Sequence, residues 1–191
     1  MEKLIQKINK IPKSYFSLTD IQKISNLKEA SLKVTMNRLL KRRELYRVMK
    51  GIYALNYSKI DWKQFAVELY NPSYVSFESA LSYYNILSQK TFNVVLATIK
   101  RSKKIATKNN IIIYHHIKPS LFWGYKMEQD FLIAKPEKAF LDLAYLSLNG
   151  YAKFDIEDMN LNKLDKMIIR KYLKKFSNKK LDNLILKIKD F

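Results

Sequence analysis

A helical pattern that runs directly into a hairpin pattern, over residues 28–55, constrains the fold of this chain more than any other feature. Apolar residues recur at helical spacing over residues 28–42. Two short β-prone segments, 45–49 and 52–55, then flank Lys50-Gly51, a pair typical of a tight turn. A helix that is followed at once by a hairpin restricts this part of the chain to a few small architectures.

Two shorter helices are predicted before it. Residues 2–9 carry apolar side chains at the spacing of one helical face, and Pro12 ends that helix. Thr19, with Gln22 three residues later, predicts a capping box for a helix that reaches about Ser25. The order helix, helix, helix, hairpin predicts a winged helix-turn-helix over residues 1–58.

Charge favours a polyanionic partner for this region. The chain has 36 Lys and Arg against 17 Asp and Glu, a net charge of +19, which attracts nucleic acid first and an acidic membrane surface second. An AT-rich genome would raise the Lys content, but it would not cluster arginines. Four of the six arginines, at positions 38, 42, 43 and 47, fall within ten positions. Since Arg makes bidentate contacts to phosphate and guanine, the cluster favours nucleic acid.

The third predicted helix separates its apolar and polar residues. At about 100° per residue, Leu32, Met36, Leu39 and Leu40 fall on one side, and the other side is small, polar and basic. A recognition helix needs this division. Asn37 suits adenine, and Arg38 or Lys33 suits guanine. We predict that double-stranded DNA is bound by Lys33, Val34, Asn37, Arg38, Lys41, Arg42, Arg43, Arg47 and Lys50. The alternative is an ordinary amphipathic helix with a solvated basic face.

A second domain is predicted over residues 60–191, after a linker at 56–60. Helix, strand and turn signals are mixed here, so the predicted fold class of the whole chain is α/β of the α+β kind. Ser76 is predicted to cap a helix, and Pro136 suits the first turn of another that ends before Gly150. The remaining signals indicate a helix over 61–70, β-rich segments at 92–99 and 111–117, a hairpin within 122–134, and terminal helices over 162–175 and 178–190.

Three stretches resemble one family. Residues 28–55, KEASLKVTMNRLLKRRELYRVMKGIYAL, resemble the winged helix of the AbiEi family, the antitoxins of type IV toxin–antitoxin and abortive-infection systems. Residues 74–84, YVSFESALSYY, and 134–143, AKPEKAFLDL, are similar to two later helices of that family in sequence, order and spacing. The chain departs from the family at Arg43, where a Gly is usual. Because Gly adopts positive φ at little cost, we expect the turn into the hairpin to differ.

The resemblance implies a specific function. It implies a repressor that binds inverted repeats in its own promoter, and an antitoxin that neutralises a toxin with a nucleotidyltransferase fold. It also implies that the second domain carries the antitoxin role, without a need for a stable complex between the two proteins.

Signals of an enzyme are weak. Three glycines in the whole chain exclude a P-loop and a dinucleotide fingerprint. His115 and His116 are predicted to point to opposite faces of a strand, one packed and one exposed. Glu137 and Asp142, five residues apart, do not share a helical stripe; we expect Glu137 to favour a helix N-terminus and Asp142 to make a local hydrogen bond. The acidic residues within 155–158 are predicted to be a solvated loop. We therefore expect no catalytic residue, no cofactor and no metal.

Two other functions stay open. One is a plain winged-helix transcription factor whose second domain binds a small ligand or mediates dimerisation. The other is an enzyme that processes nucleic acid and is delivered by the winged helix. Because the N-terminus has no signal-like apolar stretch and no apolar run would span a bilayer, we expect a cytoplasmic protein with no membrane partner.

Overall fold

The computed structural model describes residues 2–89, 93–108 and 110–188. The chain divides into two compact units: unit 1 runs to Trp62 and takes in Thr107 and Lys108, and unit 2 comprises the rest. The predicted linker at 56–60 lies just before this division and contains a single turn of 3-10 helix, Tyr57–Lys59. Both units combine helices and strands, so the predicted mixed α/β class is confirmed.

Unit 1 consists of three helices and a small antiparallel sheet. Its elements are α1 (Glu2–Asn9), β1 (Phe16–Ser17), α2 (Leu18–Ser25), α3 (Glu29–Lys41), β2 (Tyr46–Met49) and β3 (Ile52–Ala54). The sheet has the order β1-β3-β2, so the central strand is the second strand of the predicted hairpin. One apolar cluster holds the unit together: Leu4, Ile8, Phe16, Ile21, Leu32, Met36, Leu39, Leu45 and Tyr53.

The start of α2 differs from the sequence prediction. The N-cap is Ser17, whose hydroxyl accepts a hydrogen bond from the Asp20 N–H at 3.0 Å, while the Asp20 carboxylate accepts one from the Ser17 N–H at 2.9 Å. The capping box predicted at Thr19 and Gln22 was therefore wrong. Pairing of Ser17 with Ile52 already holds Ser17 extended, which is the conformation that an N-cap needs. The hydrogen bond from the Ser17 backbone lowers the pKa of Asp20.

Unit 2 is built on a six-stranded mixed sheet. Its helices are α4 (Trp62–Leu69, whose first residue belongs to unit 1), α5 (Phe77–Tyr83), α6 (Pro136–Ser147), α7 (Lys166–Phe176) and α8 (Lys179–Leu186). Its strands are β4 (Ser73–Val75), β5 (Val94–Thr98), β6 (Lys103–Ala106), β7 (Ile111–His116), β8 (Tyr125–Glu128) and β9 (Phe131–Ala134). The order is β6-β7-β5-β4-β9-β8, with parallel pairs β5–β7 and β4–β9.

Helices cover both faces of this sheet. The Tyr114 hydroxyl donates to the Ala66 carbonyl of α4 at 2.7 Å, whereas the ring of His115, the next residue of β7, packs edge-on against Phe77 of α5. Because successive strand residues point to opposite faces, α4 and α5 lie on opposite sides. α6 packs against α5, and α7 and α8 pack against α6.

Several predicted elements of unit 2 are confirmed, and two strands were missed. The hairpin β8–β9 and helices α4 and α6 occur where the sequence indicated them. β4 and β6 were not predicted; β6 lies in a segment interpreted as a basic connection. The parts of the predictions that fall on residues 92, 189 and 190 lie outside the described residues.

Candidate nucleic-acid interface

The inner face of α3 packs as its periodicity predicts. Leu32, Met36 and Leu39 are buried in the core of unit 1, and Leu40 is half-buried against the same cluster. This packing fixes which side of the helix faces solvent. The predicted inward and outward faces of α3 are therefore confirmed.

The outward face carries the predicted contact residues. All nine are exposed: Lys33, Val34, Asn37, Arg38 and Lys41 on α3, Arg42 and Arg43 at its end, and Arg47 and Lys50 on the hairpin. Arg43, at the end of α3, and Arg47, on the first strand of the hairpin, line the same shallow cavity. Seven of these nine exposed residues are basic, and we call the nine together the α3 surface.

Two polar contacts along α3 affect what its side chains offer to a partner, and only one of them restricts a side chain. Lys33 pairs with Glu29 one turn earlier, with Nζ 2.9 Å from the carboxylate oxygen, and both side chains are well exposed. An exposed pair of this kind is weak, so it leaves Lys33 able to exchange partners. The Thr35 hydroxyl instead donates to the Ser31 carbonyl at 2.9 Å, which commits it to the helix backbone.

The turn from α3 to the hairpin adopts the conformation that a glycine would favour, although the residue is Arg43. Its φ is 57°, in the left-handed region. The Arg43 N–H donates to the Leu40 carbonyl at 3.1 Å, and the Glu44 N–H donates to the Leu39 carbonyl at 3.0 Å. These two bonds are the Schellman pattern of a helix C-terminus. Arg43 thus has the positive φ that a glycine would adopt at lower cost, and these hydrogen bonds hold the arginine in the strained conformation.

The hairpin is anchored to the rest of unit 1 at its tip. Gly51 has φ 80°, which the tight turn requires, and its carbonyl accepts a hydrogen bond from the Leu18 N–H at 2.9 Å. Arg47 lies opposite Tyr53 in the β2–β3 pair, next to an irregularity in the register. The position of Arg47 and Lys50 relative to α2 is thereby fixed.

The two later stretches of the family resemblance meet in the core of unit 2. The Asp142 carboxylate accepts hydrogen bonds from the Tyr74 hydroxyl at 3.0 Å and from the Ser76 hydroxyl at 2.8 Å. Lys138, one turn before Asp142 on α6, forms an ion pair with it and donates to the Tyr74 oxygen at 3.0 Å. All four residues are buried, and we call them the Lys138–Asp142 centre.

Aromatic rings and a glycine shape the surroundings of the Lys138 ammonium. It lies 5.0 Å from the ring centres of both Trp123 and Phe176. A Cβ at Gly124, where φ is 77°, would approach the Lys138 Cγ to 2.9 Å, so only glycine fits there. Burial lowers the pKa of Lys138, an effect that the charge of Asp142 opposes. Burial also raises the pKa of Tyr74 well above its usual value.

This centre extends one sequence interpretation and corrects another. Asp142 accepts the predicted local hydrogen bond, from Lys138 four residues earlier, and it also accepts hydrogen bonds across 66 and 68 residues of sequence. Ser76 stands at the N-cap of α5, but its hydroxyl makes no cap hydrogen bond, because it donates to Asp142. The missed signal was the spacing of Lys138 and Asp142, which are four residues apart in an apolar helix.

The other candidate residues of unit 2, which are His115, His116 and Glu137, do not form a common site. His115 is half-buried, which lowers its pKa, and His116 is exposed, as predicted. Glu137 is in the first turn of α6 and accepts a hydrogen bond from the Asp165 N–H at 3.2 Å. Within the described ranges, His, Asp and Glu form no group of three or more that would hold a metal ion. None of the helices that the structure describes is both long enough and apolar enough to cross a bilayer.

Comparison with models of known protein families gives no match for this chain. Comparison with curated proteins gives no relative either. The resemblance to the AbiEi family therefore rests on the three stretches of sequence alone.

Proposed function

We propose that this chain is a transcriptional repressor whose unit 1 is a winged helix-turn-helix. In this proposal α2 and α3 are the helix-turn-helix, α3 lies in the major groove, and the β2–β3 hairpin is the wing. The proposal rests on the α3 surface. Every predicted contact residue is exposed there, and none of them packs in the core of unit 1. An α-helix with its side chains is about 10–12 Å across, which suits a groove about 12 Å wide.

The chemistry of this surface divides between reading bases and positioning. Asn37 and Arg38 lie on the middle of the outward face, where an amide pairs with adenine and a guanidinium with guanine. Arg42, Arg43, Arg47 and Lys50 lie at the helix end and on the hairpin, where they would contact phosphates. Phosphate contacts supply affinity without sequence preference, whereas the helix supplies the preference.

We further propose that the protein is the antitoxin of a type IV toxin–antitoxin system, which represses its own promoter and neutralises a nucleotidyltransferase-like toxin. The support is the family resemblance, which continues beyond unit 1. Its two later stretches contribute Tyr74, Ser76, Lys138 and Asp142, which meet in one buried centre. Unit 2 would then carry the antitoxin role, without a lasting complex with the toxin.

The test of DNA binding is a salt titration of the affinity for two duplexes of equal length, the protein's own promoter and a random sequence. We expect specific binding to the promoter that falls steeply as salt rises, because each phosphate contact releases counterions. Equal affinity for both duplexes at physiological salt would contradict the repressor proposal.

A second measurement distinguishes contacts to bases from contacts to phosphates. Asn37→Ala or Arg38→Ala should remove about 1–3 kcal/mol of discrimination for one good base contact. Arg47→Ala and Lys50→Ala are the matched controls, and they should weaken binding to all sequences about equally. If the hairpin variants change the sequence preference and the α3 variants do not, α3 is not the reading element.

A plain transcription factor with a ligand-binding second unit is the other candidate, and one observation favours it. Unit 2 has a surface cavity of about 330 Å³ lined by polar groups that include Lys63, Ser79, Ser82 and Tyr83. The neighbouring gene separates the two functions, because an adjacent nucleotidyltransferase gene belongs only with the antitoxin.

A further inference from the structure

One side chain on the α3 surface is apolar. Val34 is 50% exposed, the most exposed large hydrophobic side chain among the described residues of unit 1. Its neighbours on the same face are Asn37 and Arg38, three and four residues later, and Ala30, four residues earlier, which is also exposed. Val34 therefore stands in the middle of a polar, basic stripe rather than at its apolar border.

Packing within unit 1 does not explain a valine at this position. Valine loses χ1 freedom in a helix and is a weaker helix former than the Ala, Lys or Glu that suit exposed positions. Half of its side chain also faces water, so its burial gains little of the hydrophobic stabilisation that a core position offers. A partner that covers Val34 would bury the apolar surface that the fold leaves exposed.

The major groove offers one apolar group, the C5-methyl of thymine, and small apolar side chains contact it. We propose that Val34 reads a thymine methyl in each half-site of the operator, next to the adenine read by Asn37. This inference rests on the proposed DNA binding by α3 and adds the identity of a base to it.

The geometry of the helix sets where that thymine lies. Residues 34 and 37 are separated by about 4.5 Å along the helix axis, and successive bases are stacked about 3.4 Å apart. Both residues lie on one face, because side chains three apart are neighbours on a helix. The thymine is therefore expected within one or two base pairs of the adenine. Thr35 does not share this contact, since it lies about 100° further round the helix than Val34, away from the face that carries Val34 and Asn37.

The experiment uses the full chain and its own promoter. After footprinting delimits the bound half-sites, each thymine is replaced in turn by deoxyuridine, which removes only the methyl group. We expect one thymine in each half-site at which the change weakens binding about fourfold, the value for one buried methyl group. At that position, Val34→Ala should bind the thymine and deoxyuridine duplexes with equal affinity.

Thr35→Ala is the matched control, and it should keep the fourfold preference for thymine. Val34→Ala is expected to fold, because Val34 lies outside the core and Ala is the best helix former, and circular dichroism checks this. If the wild type prefers its promoter but is indifferent to every deoxyuridine, the thymine reading is overturned and the repressor proposal stands. The thymine reading is also overturned if Val34→Ala keeps the preference. If the wild type does not prefer its promoter to random DNA, both proposals fail together.

Discussion

At the residue scale, Arg43 combines a strained backbone with an exposed charge. A left-handed conformation costs a residue with a Cβ about 1–2 kcal/mol, and the Schellman hydrogen bonds at the end of α3 hold Arg43 in it. A residue that tolerates positive φ would make the same turn at lower cost. Arg43 is also part of the α3 surface. A substitution that relieves its backbone strain would therefore stabilise the fold but remove a charge that is proposed to bind DNA.

We expect Arg43→Gly to raise the free energy of unfolding by about 0.5–1 kcal/mol, after the greater entropy of glycine in the unfolded chain is allowed for. Urea denaturation measures this change. Arg42→Gly is the control, because Arg42 has φ −80° and gains nothing from glycine, so this variant should be destabilised. If both variants lose stability, the strain at Arg43 is not significant. Both should bind DNA more weakly.

The Lys138–Asp142 centre concentrates two opposite charges away from water. Breaking such a pair by removing one partner costs about 3–5 kcal/mol, because the other charge stays buried. We therefore expect Lys138→Met and Asp142→Leu each to lower the free energy of unfolding by an amount of this size. The double variant should lose less than the sum, since no uncompensated charge remains. Additive losses in a urea-denaturation double-mutant cycle would contradict the pairing.

At the scale of elements, the start of α2 shows how a neighbouring strand moves a helix boundary. Ser17 and Asp20 form the capping box, and Thr19 is left exposed. We expect Ser17→Ala to cost about 1 kcal/mol of unfolding free energy, and Thr19→Ala to stay within about 0.5 kcal/mol of the wild type. Thermal unfolding of the two variants checks which residue is the cap, and a larger loss for Thr19→Ala would contradict the structure.

The same box predicts a pH dependence. The pKa of Asp20 in the folded chain lies below its ordinary value of 3.8, chiefly because the carboxylate accepts the Ser17 N–H. The carboxylate therefore stabilises the fold above the ordinary pKa, and this contribution is lost as the pH falls through the folded-state pKa. We expect Asp20→Asn to be less stable than the wild type at pH 7 and the difference to shrink in acid. A difference that does not change with pH would contradict this role of the charge.

How much of the structure could be predicted varies among elements for a physical reason. α3 and its outward face follow from a pattern of apolar residues within one segment, so the sequence was sufficient. β4 has only three residues, and its parallel partner β9 lies far along the chain, with Ile133 opposite Val75. A local pattern therefore could not predict it. β6 has one half-buried residue among exposed ones and forms because β7 pairs with it. The spacing of Lys138 and Asp142 was a signal for the centre, but it was missed because Tyr74 comes from β4, which was itself not predicted, and Ser76 directly follows that strand.

At the scale of the whole molecule, the two units predict separable activities. The test is co-expression of the full chain with the toxin, placed under a promoter that this protein does not repress. Because unit 2 is proposed to neutralise the toxin, we expect the Asn37→Ala/Arg38→Ala variant to rescue growth as well as the wild type does, although it no longer represses its own promoter. If rescue is lost with DNA binding, or requires the native promoter, repression is the whole mechanism. Immunoblots at matched expression are the control.

The long reach of the Asp142 hydrogen bonds has a consequence for synthesis on the ribosome. Tyr74 and Ser76 leave the ribosome 68 and 66 residues before the Asp142 carboxylate to which their hydroxyls donate hydrogen bonds, and β4 precedes its parallel partner β9 by nearly as many residues. Domains fold largely as units and from the N-terminus during translation. All residues of the apolar cluster of unit 1 have been synthesised once the chain reaches Tyr53. Unit 1 therefore folds early. β5, the other neighbour of β4, is synthesised soon after it, but the β4 edge that pairs with β9 stays open until β9 emerges, and α5 stays uncovered until α6 follows. This is the period in which the nascent chain most needs a chaperone, because open strand edges and exposed apolar surface favour aggregation.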